Sequence, residues 1–211
     1  MAARDGAARS AAETRERFLR AAVRVLAEQG VAGLTVRNLA EAAGSSTIGV
    51  YSRFGGRAGV LDALYERAFE QLDSAFAALP PRSGDRARDV LELALTYRRF
   101  ALENPARYAF MFERPVADFD PDPALRLSVL RASFTQVIER ARPAEASEED
   151  GRQYAYLLWT TMHGLISVEL TNAARTQLQG WFVAPDERAR EEIYRAGVGA
   201  ITCGLDARFS A

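Results

Sequence analysis

TVRNLAEAAGSSTIGVYSRFGGR, residues 35–57, is the stretch whose reading decides the fold. It holds two short amphipathic segments around one glycine. Thr35 can cap the first, in which Val36, Leu39, Ala40 and Ala43 share a face. Ser45 or Ser46 can cap the second, in which Val50, Tyr51 and Phe54 form the apolar side. Gly44 lies where a helix-turn-helix needs its tight turn, a unit that angles its second helix steeply enough to enter the DNA major groove. Residues 45–57 carry only two charges, Arg53 and Arg57. Hydroxyls and the N–H groups of helix starts hold phosphate oxygens without many cations, so light charge is compatible with such a helix.

Working outward, Thr14 can cap a preceding helix with a stripe of Phe18, Ala21, Ala22, Val25 and Leu26, ended by Gly30. Residues 1–13 are small and polar and read as a disordered lead. After the turn unit, helical periodicity continues with no strand signal. The next helix starts near Arg57 and runs to about Ala78, where Pro80 and Pro81 stop it. Others are expected from about Asp85 to Leu102, after the cap Asn104–Pro105, from Leu125 to Ala141, from Ser147 to about Asn172, and from about Pro185 to Leu205. The expectation is an all-α chain. A three-helix helix-turn-helix domain, residues 14–57, precedes a six-helix domain, residues 58–211.

The net charge of −1 conceals an asymmetry. Residues 14–57 carry seven Arg against three Glu, which points to an anionic partner on that side. Cys203 is the single cysteine, so no disulfide forms within the chain and a reducing cytoplasm fits; it reads as a small buried hydrophobe. No apolar run of about 18 residues suggests a membrane span, and the N-terminus lacks the apolar stretch of a signal peptide. No nucleophile–base pair, paired carboxylates or phosphate-binding Gly loop stands out, and His163 is the single histidine, so enzymatic chemistry is not expected. One His and one Cys cannot fill a soft-metal sphere, and neither metal nor cofactor is expected.

The candidate DNA contacts follow from residue type. Thr35, Ser46, Thr47 and Tyr51 supply neutral donors to phosphates, and Arg37 and Arg57 can clamp phosphates on either side. Thr47, Gly49, Ser52 and Arg53 are placed on the exposed face toward base edges. Arg53 alone among them can make a bidentate contact to guanine, or else meets a phosphate or solvent. Ile48, if exposed, offers apolar contact to a thymine methyl.

Residues from Thr14 to about Leu72 resemble the DNA-binding domain of the TetR family of bacterial transcription regulators. LTVRNLAEAAGSS looks like the family's second helix and turn, TIGVYSRF like its recognition helix, and GGRAGVLDAL like the start of its fourth. At Arg57 the resemblance implies a basic phosphate contact. YRRFALENPARYAFMFERP and WTTMHGLISVEL resemble the C-terminal half of a subclass with a Trp/His/Gly signature, with Met162 where that signature has Trp. The resemblance implies a dimeric regulator, a double-stranded operator and a small-molecule effector.

In the helical half, Phe69, Phe76, Tyr97, Phe100, Tyr108, Phe110, Met111, Phe112, Trp159 and Met162 read first as core, and some of them as lining for an apolar effector pocket. His163 reads as a hydrogen-bonded core residue or as the polar anchor of that pocket. Gly197, Ala200 and Gly204 lie on one side of the last helix, where small residues permit close approach by a second copy. The alternative is a helical half that only dimerises or binds a protein partner.

Overall fold

Where the apolar stripes and caps fall, helices form. The computed structural model describes residues 2–114, 116, 118–174 and 186–209, and every regular element among them is helical. Nine α-helices are formed among the described residues: α1 Ala2–Gln29, α2 Val36–Ala42, α3 Thr47–Phe54, α4 Arg57–Ala77, α5 Arg86–Glu103, α6 Pro105–Phe112, α7 Pro123–Ala141, α8 Glu148–Ala173 and α9 Glu187–Phe209. The expected caps act as caps. Thr35 Oγ1 accepts from the Asn38 N–H and Ser46 Oγ from the Gly49 N–H, each at 3.2 Å. Asn104 Oδ1 accepts from the Arg107 N–H at 2.9 Å and Ser147 Oγ from that of Asp150 at 3.1 Å.

Three boundaries differ from expectation. α1 begins at Ala2, so the supposed disordered lead is helical, and Thr14 lies inside the helix donating its hydroxyl to the Ser10 carbonyl at 2.7 Å. The lead is alanine-rich, and alanine has the highest helix propensity. α7 starts two residues early because Asp122 Oδ1 accepts from the Ala124 and Leu125 N–H groups, both at 3.0 Å. The expected start of the last helix at Pro185 lies outside the described residues; Asp186 Oδ1 accepts from the Ala189 N–H at 2.9 Å, and α9 continues to Phe209.

Two compact units emerge, and their division is not the sequence boundary at 57/58. The first comprises Met1–Ala68 and Phe110–Leu127, the second Phe69–Ala109 and Ser128–Ala211. In the first, Phe18, Leu19, Ala22 and Val25 of α1, Leu39 and Ala40 of α2, Val50 of α3, and Val60 and Leu61 of α4 are all buried. Ion pairs join α1 to α4 through Arg15–Glu66 at 2.6 Å and Glu16–Arg67. Arg24 Nη2 donates to the Ala42 carbonyl at 2.8 Å, tying α1 to the end of α2.

The second unit is built on Val90, Leu93, Ala94, Tyr97 and Ala101 of α5, Tyr154, Leu158, Met162 and Ile166 of α8, and Tyr194 and Val198 of α9. Charge is buried in it as well. Arg98, 4% exposed, makes a bidentate pair with Glu169, 9% exposed, at 2.9 and 2.6 Å. It also reaches Glu187 of α9 at 2.7 Å. Burial opposes the Arg98 charge, and the carboxylates of Glu169 and Glu187 outweigh it, so the guanidinium holds its proton more tightly than a free arginine. At the other end of the same three helices, Arg86 Nη1 donates to the Tyr154 hydroxyl at 2.8 Å, and that hydroxyl donates to Asp206 at 2.9 Å. Burial and the adjacent Asp206 push the Tyr154 phenol up to about 12.

Removing one member of a buried pair leaves the other charge desolvated. Arg98→Leu is expected to cost about 3–5 kcal/mol in urea unfolding at pH 7, and adding Glu169→Leu to recover most of the loss.

Candidate functional site

The turn between α2 and α3 is made by the backbone. The Gly44 N–H donates to the Glu41 carbonyl at 3.0 Å and the Ser45 N–H to the Ala40 carbonyl at 2.8 Å, the two bonds of a Schellman motif. Gly44 has φ 58°, a left-handed conformation that costs glycine little. Asn38 reinforces the entry, its amide donating to the Gly33 carbonyl at 2.8 Å and to Gln29 at 2.9 Å. No sequence signal had singled Asn38 out.

α3 is then held by what it lacks as much as by what it carries. Val50 is fully buried. Gly49 is buried too, and a Cβ there would stand 2.7 Å from Ser45 Oγ and 3.5 Å from the Phe18 ring. Gly49 therefore faces inward, and not onto the exposed side expected for it. Beyond Phe54, Gly55 (φ 70°) caps the helix and Gly56 (φ 131°) turns the chain directly into α4. At Gly59 an added Cβ would collide with the Phe54 carbonyl, so α4 can start this close only with glycine there.

The outward side of α3 consists of Thr47, Ile48, Tyr51 and Ser52, all exposed, with Ile48 at 76% and Tyr51 at 58%. Tyr51 thus leaves the apolar side on which periodicity put it. Its ring borders Gly56, where an added Cβ would come within 3.5 Å. The stripe is neutral: two hydroxyls, one phenol and one aliphatic group. Ser52 Oγ donates to the Gly49 carbonyl at 3.2 Å, which leaves its oxygen as an acceptor. Arg53 is exposed but leans back over α1, its guanidinium carbon 6.0 Å from the centre of the Phe18 ring.

Thr35 and Arg37 at the start of α2, and Ser46 at the start of α3, are exposed. Arg57 joins them through tertiary structure. Its Nε donates to the Leu34 carbonyl at 2.9 Å, which places the guanidinium beside the entry to α2. Its Nη1 donates to Asp118 at 3.0 Å, a partner that no local sequence signal announces.

In the second unit, Phe69, Tyr97, Phe100, Tyr108 and Met162 are packed to 4% exposure or less, while Trp159 and His163 are half-buried. Phe110 and Met111 fall in the first unit, where Phe110 packs against Tyr65 and Phe119. Four of the expected residues form one polar string. The Trp159 indole N–H donates to the Tyr97 hydroxyl at 3.2 Å, the Tyr97 and Tyr108 hydroxyls are 3.1 Å apart, and the Tyr108 hydroxyl lies 2.5 Å from His163 Nδ1. Trp159 stacks on the His163 ring at 5.6 Å. Burial pushes the Tyr97 phenol well above its ordinary range. His163 is thus hydrogen-bonded within this string.

On α9 the small residues divide. Gly197 is half-buried and faces α8 of its own chain, where an added Cβ would meet Leu165 at 2.8 Å. Ala200 and Gly204 are exposed. Cys203 between them is also exposed, contrary to the buried hydrophobe expected, because its register follows Ala200 rather than the inward Val198 and Thr202. On α8, Tyr156 and Val168 are exposed large side chains.

The comparisons agree with this division of labour. Residues 18–64 match the family model for bacterial regulatory proteins of the tetR family, and residues 90–195 that of the tetracyclin repressor-like C-terminal domain. An uncharacterized HTH-type transcriptional regulator of Mycobacterium tuberculosis is 26% identical over 166 residues, covering 78% of this chain and 73% of its own. A protein of unknown function from Rhodococcus sp. RHA1 superposes with a TM-score of 0.71 at 25% identity, covering 91% of this chain and 95% of that one. A TetR variant from Acinetobacter baumannii AYE in complex with minocycline superposes with a TM-score of 0.61 at 17% identity, covering 92% of this chain and 97% of that one. Among the described residues, no helix is long and apolar enough to cross a membrane. With a helix-turn-helix segment and a helical second half that both match, the chain belongs to the TetR family of DNA-binding transcription regulators and is not an enzyme.

Proposed function

We propose that the protein is a cytoplasmic repressor that binds a pseudo-palindromic operator as a homodimer and is released by a small, mainly apolar effector. The observation that carries the DNA reading is the neutral outward stripe of α3, set beside the exposed starts of α2 and α3 and the Arg57 guanidinium. Thr47, Ile48 and Ser52 approach base edges. Tyr51, Thr35, Ser46, Arg37 and Arg57 take phosphates, together with the N–H groups of the two helix starts. Arg53 lies at the edge of the stripe and serves as a phosphate contact rather than a bidentate reader.

Two α3 helices in successive major grooves require a two-fold dimer. The outer surface of α9 around Ala200 and Gly204, with Tyr156 and Val168 of α8, supports a pairing of these two helices with their copies. The effector reading rests on the Trp159–Tyr97–Tyr108–His163 string, a polar anchor among apolar helices. The minocycline complex of a fold neighbour is consistent with small-molecule binding in this architecture. An effector releases DNA only to the extent that it binds the non-binding conformer more tightly.

Arg57→Ala is expected to weaken all duplexes alike and to reduce the slope of log affinity against log salt by about 1, whereas Ile48→Ala reorders operator variants; anisotropy titrations across salt and sequence separate the two. Gly204→Glu is expected to shift the protein from dimer to monomer in sedimentation velocity, with loss of operator binding. In a thermal-shift screen, an apolar compound present at about 100 times its dissociation constant stabilises by about 2.7 kcal/mol and lowers operator affinity. Tyr108→Phe reduces both responses together. A screen in which stabilising compounds never alter operator binding points instead to a helical half that only dimerises or binds a protein.

A further inference from the structure

We propose that Asp118 is an intramolecular stand-in for DNA phosphate, which holds the Arg57 guanidinium in the DNA-free protein and must be displaced before Arg57 can meet a duplex. The inference rests on the phosphate role given to Arg57 above.

Arg57 is the first residue of α4. Its Nε bond to the Leu34 carbonyl fixes the guanidinium beside the α2 entry, and its Nη1 donates to Asp118 Oδ2 at 3.0 Å. The Asp118 side chain is 73% exposed and that of Arg57 30%, so the carboxylate approaches from the solvent side. A duplex would approach the guanidinium from that same side. Carboxylate and phosphate oxygens are equivalent acceptors for guanidinium N–H groups, and two anions side by side repel. One therefore replaces the other.

The carboxylate is delivered by an anchored segment. Asp118 lies in the connection between α6 and α7, within the first unit. Val116 and Phe119 on either side of it are buried, at 1% and 8% exposure. The Phe119 ring stacks on Phe110 at 5.6 Å with an interplanar angle of 4°, and Phe110 meets Tyr65 of α4 edge-on. Further along, the Asp122 N–H donates to Asp62 of α4 at 3.2 Å. The neighbouring Asp120 turns elsewhere, to Arg114 at 3.9 Å. Asp118 is thus held against Arg57 by apolar packing that does not depend on the ion pair, and an exposed ion pair by itself adds little to stability. Its effect falls on the availability of the cation. Any event that shifts this connection changes how readily Arg57 meets DNA.

The test uses the full chain and a random-sequence duplex of about 30 base pairs, because a phosphate contact is independent of sequence. Fluorescence anisotropy at low salt is measured for the wild type, Asp118→Asn, Asp120→Asn, Arg57→Ala and the Arg57→Ala/Asp118→Asn double variant, with circular dichroism melts to verify folding. Asp118→Asn is expected to bind about two- to five-fold more tightly than the wild type, a range set by the modest strength of an exposed ion pair. Asp120→Asn is expected to bind within about 1.5-fold of the wild type, and Asp118→Asn to have no effect once Arg57 is alanine. The proposal is overturned if Asp118→Asn binds no more tightly than the wild type. It is equally overturned if Asp118→Asn gains no more than Asp120→Asn, or gains as much without Arg57, since either marks a general charge effect. Should Arg57→Ala bind as tightly as the wild type, the phosphate reading of Arg57 falls, and the proposal with it.

Discussion

Everything proposed for the DNA-facing side depends on how tightly an eight-residue helix is seated. A helix this short is not stable in water by itself, because nucleation outweighs its few internal hydrogen bonds. α3 persists because Val50 is fully buried, because Gly49 lets its backbone settle against Ser45 and Phe18, and because Gly59 lets α4 begin directly under the Phe54 carbonyl. Each of these contacts works through a missing or compact side chain. The result is a short helix whose backbone is firmly seated, so that the positions of Thr47, Ile48, Tyr51 and Ser52 on its outer side are set by packing beneath them.

The early segment is basic, yet four of its seven arginines, Arg15, Arg24, Arg53 and Arg57, make contacts within the fold. Arg15 pairs with Glu66, Arg24 holds the end of α2, and Arg53 lies over Phe18. Arg57 bonds to the Leu34 carbonyl and Asp118. The outward stripe is left neutral. In the complex proposed above, such a surface would draw on hydroxyls and helix-start N–H groups, and on shape and methyl contacts, more than on a field of cations.

The second unit follows a different logic. Its interior is apolar, but it is crossed by connected polar groups: the Arg98–Glu169–Glu187 network, the Arg86–Tyr154–Asp206 cluster and the Trp159–Tyr97–Tyr108–His163 string. The two charged clusters link the same three helices, α5, α8 and α9, near their opposite ends. Satisfied networks of this kind restrict helix register, because a shift by one turn would leave several buried polar groups unpaired. The string of Trp159, Tyr97, Tyr108 and His163 lies between them along α5 and α8 and draws in Tyr108 of α6.

Local patterning by itself determined that nine helices form among the described residues, though not where α1 starts, and it determined the caps at Thr35, Ser46 and Ser147 and the turn at Gly44, since stripes and caps act over three or four residues. It likewise determined the family, through residues 18–64 above all. What the tertiary structure decided is direction and pairing. Gly49 turned inward, Tyr51 and Cys203 outward, Gly197 toward its own α8, and Phe110 joined the first unit. Arg57 met Asp118, and Arg98 met Glu169, across 61 and 71 residues of chain. Such partners leave no periodic trace. A charge that looks solvated in sequence finds its counterpart only when distant segments pack, and a glycine reveals whether it serves a turn or a close contact only when the opposing surface is in place.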